Sequence, residues 1–529
     1  MRSVAPGLAL RRDVLVIGGG MAGAWAAAEA ARQGASVVLA EKGYCGTSGV
    51  TATAGPGHWW VPPEGRRAAI AARNEAALGL ADPQWMERVL EETWRSLPGL
   101  ARHYDFPRDE KGQVQYRALR GPEYMRALRA QAEELGVLIL DHCPALELLA
   151  EENGRVGGAR GLCRQDADAP WQVEAGATVL ATGGTAFLSG LLGARNNTGD
   201  GYLMGAEAGA QLSGLEFTGI YTVAPARSTM TRSMSYAFAT YYDADGHEIV
   251  VPPGPDNTAT LARALLAGPV TCSLHRMPEA VRARLHLVSP NVMLPFVRWG
   301  IDPFRDRFPV TLHTDGTIRG TGGLRIVDAE CGTGIPGLFA AGDAASRELI
   351  AGAISGGGAQ NSAWALSSGL WAGRGAARFA RGWRPGARLR GLGQAGLRPL
   401  RAVRPVEIEA ARATVLGEMQ PYDKNFFRTQ AGLRRSRAVL DTAWGELRDH
   451  ALPGHGGRER LRAREAAALL ATARWSVTAA LARAESRGLH RLEDIPRIVP
   501  DFAHRLLVDG IDTIRVTPDH VPALPETAA

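Results

Sequence analysis

The 529-residue chain is long enough for roughly two to four domains and ample core. Its hydrophobic content of 45% and charged content of 22% are those of a globular protein, and the net charge of +6 comes mostly from dispersed arginine, without the clustering that binds nucleic acid. Cys45, Cys143, Cys163, Cys272 and Cys331 stand far apart with no C-x-x-C, which argues against a disulfide framework and against zinc or iron–sulfur ligation by this chain, and fits a reducing, cytoplasmic compartment.

Near the amino end, Arg11-Arg12 runs straight into Asp13 and a glycine cluster, without the apolar stretch and cleavage site of a signal peptide. Val14 to Ile17 reads as a short buried strand, and Gly18-Gly19-Gly20-Met21-Ala22-Gly23 then fits G-x-G-x-x-G. Gly18 permits the tight turn, Gly20 lets backbone approach a diphosphate, and Gly23 lets the following helix pack close to the strand. The spacing predicts that helix from Ala22 to Arg32, its amides and positive dipole end facing the diphosphate. Val37 to Ala40 is the second strand, and Glu41 at its end is placed to accept hydrogen bonds from a ribose.

Which dinucleotide binds is decided far downstream. Thr178 to Gly184 is a strand running into glycine, and Gly337-Leu-Phe-Ala-Ala-Gly-Asp343 is another. Such a return to one nucleotide domain suits FAD, whose ribityl chain lies across the sheet, and Asp343 is expected at the ribityl hydroxyls or a phosphate-bound water. No second G-x-G-x-x-G follows a clear strand, so a separate nicotinamide-nucleotide domain is not indicated. Leu349 to Gly373 carries no charge and is long enough to span a bilayer, but Gly356-Gly357-Gly358, Gln360, Asn361 and several serines mark it as a buried loop and helix, leaving no transmembrane segment. Between about 400 and 485, ARATVLGEM and AREAAALLATARWSVTAALARAES have helical patterning, and LRRSRAVL reads as a helix surface.

The order of motifs resembles the flavoprotein class of fumarate reductase, succinate dehydrogenase, L-aspartate oxidase and the adenylylsulfate reductase α subunit, over about residues 10 to 500. The resemblance is carried by the fingerprint, Gly46-Thr-Ser-Gly-Val-Thr-Ala-Thr-Ala-Gly55, Asn197-Thr-Gly-Asp-Gly201, Glu216-Phe217 and the Gly-Asp return. Met419-Gln-Pro-Tyr, Phe427-Arg-Thr429, Ala484-Glu-Ser-Arg-Gly488, His490 and Glu493-Asp494 extend it into the carboxyl-terminal region. It implies an α/β fold: a Rossmann-like FAD-binding domain in two pieces (1–217 and 316–390), an inserted α+β cap (218–315), a helical domain (400–515) and a flexible tail (516–529). FAD contacts are implied at Gly18, Gly20, Met21, Ala22, Gly23, Glu41, Lys42, Thr47, Ser48, Ala54 and Gly55. Further contacts are implied at Ala181, Thr182, Gly183, Asn197, Asp200, Gly342 and Asp343, and at Gln360, Asn361 and Ser362, where a helix starts toward the flavin pyrimidine edge and favours the anionic reduced ring.

The chain also departs from that class. The histidine that often links FAD covalently falls at Gly49 or Val50, with His58 an ordinary loop histidine, so non-covalent FAD is expected. The arginine general acid of fumarate-reducing members falls near Asp256 to Thr258 in PDNTATLARALL, with Arg263 one turn later as a substitute. The carboxylate-clamping arginine is replaced by Gly352-Ala-Ile-Ser-Gly-Gly-Gly358. The histidine expected four residues before Gly322-Gly323 is replaced by Ile318, with Arg319 beside it and His313 upstream. The His-Pro-Thr-Gly of the cap lead-in is Thr218-Gly219-Ile220-Tyr221. Without bidentate guanidinium contacts a buried dicarboxylate is left unpaired at a cost of several kcal/mol.

The expected function is therefore FAD-dependent hydride transfer between flavin N5 and a small anionic organic substrate, distinct from a standard succinate or fumarate enzyme. His313, Arg319, Arg232 and Arg263 are the candidate catalytic residues, with His313 or Arg319 as proton donor. Electrons would pass to or from a quinone, a ferredoxin-like or iron–sulfur partner protein, or oxygen. Two alternatives stand: an adenylylsulfate reductase-like α subunit served by a separate iron–sulfur protein, and a flavoprotein subunit without catalysis.

Overall fold

A computed structural model describes residues 7–117, 119–231, 234–252, 256–288, 290–401, 406–451 and 456–519. Its centre is an eight-stranded sheet built on β1 (Leu8–Ile17), β2 (Val37–Ala40), β3 (Leu138–Leu140), β4 (Ala145–Ala150), β5 (Val156–Cys163) and β6 (Ala169–Leu180), in the order Arg390–Gly391, β4, β5, β6, β1, β2, β3, with Leu338–Ala340 also on β6. The strand expected at 14–17 begins at Leu8, because only Val14 to Ile17 are buried on both faces and form the continuous apolar run of a covered parallel strand. The earlier half is partly exposed, yet pairs in parallel with β6 from Trp171 to Ala175.

Strand β6 is long enough to serve two neighbours on one side. Its first half pairs antiparallel with β5, and Thr178 to Leu180 pair in parallel with the returning strand Leu338–Ala340. The chain leaves β1 toward β2 on one side and returns through β6 on the other, so the β1–β6 boundary is a topological switch point, where α/β sheets bind ligands at the strands' carboxyl ends.

Helix α1 (Met21–Arg32) lies against the helix Gly357–Phe379. A Cβ on Gly369 would stand 2.5 Å from the Ala22 carbonyl oxygen, and one on Gly373 2.3 Å from that of Ala26, so the glycines allow direct backbone contact. The uncharged stretch thus forms a buried helix pair, and no helix among the described residues is long and apolar enough to cross a membrane.

A second sheet, in the order Glu248–Ile249, Thr240–Tyr242, Thr271–Ser273, Phe308–Thr314, Tyr221–Pro225, is covered by Asp256–Ala267, Glu279–Val288 and Pro290–Trp299. Its core of Tyr221, Tyr241, Phe296 and Phe308 is completed by Phe426 and Phe427 from later in the chain. Helices Ile408–Met419, Gln430–His450 and Gly457–Ala482 follow the expected helical patterns, Leu433 and Leu440 facing inward and Arg434 and Arg435 outward.

The flexible tail expected from 516 is corrected for 516–519. Strand Arg515–Asp519 pairs with Arg505–Asp509, which joins Leu212–Ser213 of the cofactor half. Residues 520–529 of that expectation lie outside the described residues. A buried ion network makes the same joint. Arg483 Nε donates to Glu216 Oε1 at 2.8 Å and its Nη1 to Glu485 Oε1 at 3.1 Å, while Arg487 Nε donates to Glu485 Oε1 at 2.6 Å. The cysteines remain free thiols, although folding brings Cys143 Sγ to 3.2 Å from Cys163 Sγ.

Candidate functional site

A cavity of about 900 Å³ runs from the switch point to the second sheet. Its floor begins where β1 ends. Gly18 has φ +107°, and a Cβ there would stand 2.3 Å from the Ala181 carbonyl oxygen, so only glycine makes this turn. Gly23 meets the same limit, its Cβ falling 1.8 Å from Gly18 O. At Gly20, by contrast, a Cβ would meet nothing within 4 Å, because that position opens into the cavity. Helix α1 has no side-chain cap and no acid in its first turn, leaving its first amides free for an anion.

Glu41, at the end of β2, accepts hydrogen bonds from the Gly19 amide at 2.5 Å and the Gly43 amide at 2.6 Å. Lys42 Nζ donates to Asp200 Oδ2 at 2.7 Å and Thr198 Oγ1 at 2.9 Å, and pairs with Glu465 at 2.8 Å. Burial opposes its charge, but these two carboxylates raise the ammonium pKa above its ordinary value. At the cavity's other side, helix Gly357–Phe379 also starts without a side-chain cap or an acid in its first turn, and Gly357, Gly358, Asn361 and Ser362 line the wall. Asn361 Oδ1 is buried there with no hydrogen-bond partner. Two uncapped helix starts, an orphaned amide oxygen and the open position at Gly20 fit a long ligand carrying phosphates and a polar ring.

Of the residues expected to hold the cofactor, Gly18, Gly20, Met21, Ala22, Glu41, Lys42, Ser48, Ala54 and Gly55 line this cavity. So do Ala181, Thr182, Gly183, Asn197, Asp200, Gly342, Asp343, Asn361 and Ser362. Gly23 lies beneath the turn against Gly18. Thr47 is exposed and bonded to Tyr44, and Gln360 is outside the lining.

The catalytic expectations fare unevenly. Arg319 reaches the cavity, its Nη1 donating to Thr222 Oγ1 and to Asp315 Oδ2, both at 3.3 Å, while Thr222 Oγ1 donates to Asp315 Oδ2 at 2.7 Å. Asp315 is fully buried, which fixes the guanidinium from behind. Two expectations are corrected. His313 is the cross-strand partner of Thr222, but its ring lies against Gly190 with Nε2 3.1 Å from Ser228 O, and Thr222 takes the cavity position. Arg263 is off the cavity, held bidentate by Glu493 at 3.1 Å and stacked over Phe427. Arg232 lies outside the described residues.

Other wall residues carry no signal in the sequence. Thr222, Met230, Thr231, Asn291 and Val292 come from the second-sheet region and meet Leu192 and Ile318 around the opening. Gly49 also lines the cavity, with φ +82° and open space at its Cβ position. His58, expected to be an ordinary loop histidine, is buried behind this wall, Nε2 3.3 Å from Tyr124 Oη, and burial pushes its pKa down to about 3. Arg347, four residues after Asp343, belongs to no motif of the chain. It is buried and binds Asp343 together with three carbonyls of the Arg319 loop.

Comparisons with known proteins agree with this architecture. The family model described as FAD dependent oxidoreductase matches residues 13–121, that of FAD binding domain 93–233, and that of Fumarate reductase flavoprotein C-term 415–514. The chain is 28% identical to L-aspartate oxidase of Mycobacterium tuberculosis (strain ATCC 25618 / H37Rv), over 94% of this chain and 95% of that one. It is 25% identical to a fumarate reductase (CoM/CoB) subunit from Methanothermobacter marburgensis, over 94% and 97% respectively. The fold matches that of Mycobacterium smegmatis Sdh1, solved in complex with UQ1, with a TM-score of 0.79 at 21% identity, covering 98% of this chain and 96% of that one. The chain is thus an FAD-dependent oxidoreductase of the flavoprotein class that includes fumarate reductase, succinate dehydrogenase, L-aspartate oxidase and adenylylsulfate reductase α.

Proposed function

We propose that this oxidoreductase holds FAD non-covalently and acts on a small organic anion gripped by Arg319, a substrate other than the dicarboxylate of a standard succinate or fumarate enzyme. The observation that carries this reading is the Arg319–Thr222–Asp315 cluster, which supplies the only cation among the described cavity residues from 218 to 319. One guanidinium, partly neutralised by a buried carboxylate, suits a single anionic group, and a second carboxylate would lack a partner.

FAD, when bound, supplies a hydride acceptor or donor at N5. The chain's residues do the rest. The free amides of Gly20, Met21 and Ala22 are assigned to the diphosphate, Glu41 to the adenosine ribose, and Asp343 to the ribityl chain. Asn361, Ser362 and the helix start behind them are assigned to the pyrimidine edge. Arg319 orients the substrate anion and hands a proton to it in the reducing direction, with Asp315 holding the guanidinium in place. Non-covalent attachment is supported by the lining itself, which has no histidine, cysteine or tyrosine among its described residues.

A small acid panel tests this. Acid precipitation should leave all the flavin in the supernatant, and anaerobic addition of the correct acid should bleach the bound flavin. Flavin retained in the pellet overturns non-covalent attachment. Succinate bleaching the flavin as fast as every other acid overturns the substrate assignment. A separate electron carrier is a second element of the reading. It is favoured by the similarity to a protein whose name makes it one component of a larger fumarate reductase, and by five free, widely placed thiols that form no cluster set. Those free thiols also support a reducing, cytoplasmic setting.

A further inference from the structure

We propose that Arg347 is a positioning residue that locks the substrate-binding loop to the cofactor-binding Gly-Asp turn; the inference rests on the role given above to Arg319. Arg347 is 1% exposed, and its backbone amide is anchored to Thr321 O at 2.9 Å. Its Nη1 donates to Asp343 Oδ1. Its Nη2 faces Thr317 O at 2.8 Å, Ile318 O at 2.6 Å and Gly320 O. Those carbonyls surround Arg319 on both sides along the chain, so the loop presenting one cavity residue is tied to Asp343, another.

The chemistry of this choice is informative. A buried guanidinium is a poor way to gain stability, since an apolar side chain of similar volume commonly does as well or better. Only a planar, multi-donor group can span a carboxylate and several carbonyls at once, and a lysine ammonium cannot. Tyr202 repeats the connection. Its hydroxyl lies 3.0 Å from Thr317 Oγ1 and 2.7 Å from Asp343 O. Two independent side chains therefore couple the same two segments, and a shift of either segment moves Arg319 relative to the cofactor.

The test uses the FAD-loaded full chain and four proteins: wild type, Arg347→Lys, Arg319→Ala and the double variant. Sodium acetate is the anion probe, read by perturbation of the flavin absorbance. Arg347→Lys should retain FAD yet weaken acetate binding roughly tenfold or more. The same substitution should weaken nothing further in the Arg319→Ala background. Hydrogen exchange in Arg347→Lys should accelerate at 317–321 and leave β1 and α1 unchanged. Equal loss in both backgrounds, or unchanged exchange at 317–321, overturns the inference. If Arg319→Ala binds acetate as wild type does, or wild type gives no response, the reading of Arg319 falls and this inference with it. A loss seen in Arg319→Ala but absent in Arg347→Lys removes only the inference.

Discussion

The floor and the far wall of one cavity are built by different means. The floor, from Gly18 to Gly23 and across to Ala181, works through backbone: a turn only glycine makes, uncapped amides, and helices in direct contact. The far wall works through side chains from separate segments, with Thr222, Thr231, Asn291 and Arg319 delivered by strands, helices and loops that share no motif. Backbone requirements leave glycine patterns that any reader of the chain can see. Side-chain convergence leaves none, so the cofactor half can persist while the substrate half changes.

The joint between the halves should show the largest effect. Arg483 is fully buried between Glu216 of the cofactor half and Glu485 of the carboxyl-terminal region. Arg483→Met leaves both carboxylates uncompensated, and chemical denaturation should register a loss of about 3–5 kcal/mol. A loss below about 1 kcal/mol, the range of an exposed pair, would mean that the two regions are held by packing alone.

Next comes the floor. Gly20→Val places a side chain in open cavity at a φ of −71° that valine tolerates. The apoprotein should keep its melting temperature while FAD affinity falls about 100-fold, by some 2.7 kcal/mol. An equal loss of fold stability would show that Gly20 serves packing, and the contrast between a backbone floor and a side-chain wall would weaken.

The same contrast explains what the sequence disclosed. The Gly18–Gly23 turn, α1, β2 and the buried helix at 357–379 were legible because sterics and periodicity demand small or apolar residues at set spacings. Of the four catalytic expectations only Arg319 is seen at the cavity, because residue type alone does not reveal where a side chain points. His313 and Thr222 share one face of a strand pair, yet the shorter side chain took the site. Arg263 met a carboxylate some 230 positions along the chain, a contact no local pattern encodes. Arg347 was hidden because its partners are mostly carbonyls, which every residue has.

On the far wall, Arg319→Ala should leave FAD content unchanged and slow substrate-driven bleaching by roughly 10- to 100-fold, the worth of one charged hydrogen-bonding anchor. Arg319→Lys should recover part of it, since a point charge still attracts the anion without the fork geometry. Full activity in Arg319→Ala would move the anion site elsewhere.

The smallest and most specific effect concerns Glu348, next to Arg347. It is fully buried, with Ser213 Oγ at Oε2 and no partner at Oε1. Burial, reinforced by the nearby charge of Glu216, pushes its pKa up to about 8 from the ordinary 4.5. The folded state therefore holds a proton that the unfolded chain releases above pH 4.5, so this contribution to stability is present in acid and is lost as pH rises toward 8. The loss is at most about 1.4 kcal/mol per pH unit in that window. Glu348→Gln keeps the neutral shape and cannot ionise, so subtracting its stability profile from that of wild type isolates the slope from the opposing contribution of His58, which is destabilising below its ordinary pKa. The difference should favour the variant increasingly from pH 5 to pH 8. A flat difference would mean that Glu348 is ionised and compensated, making the seam behind Arg347 a charged layer instead of a neutral one.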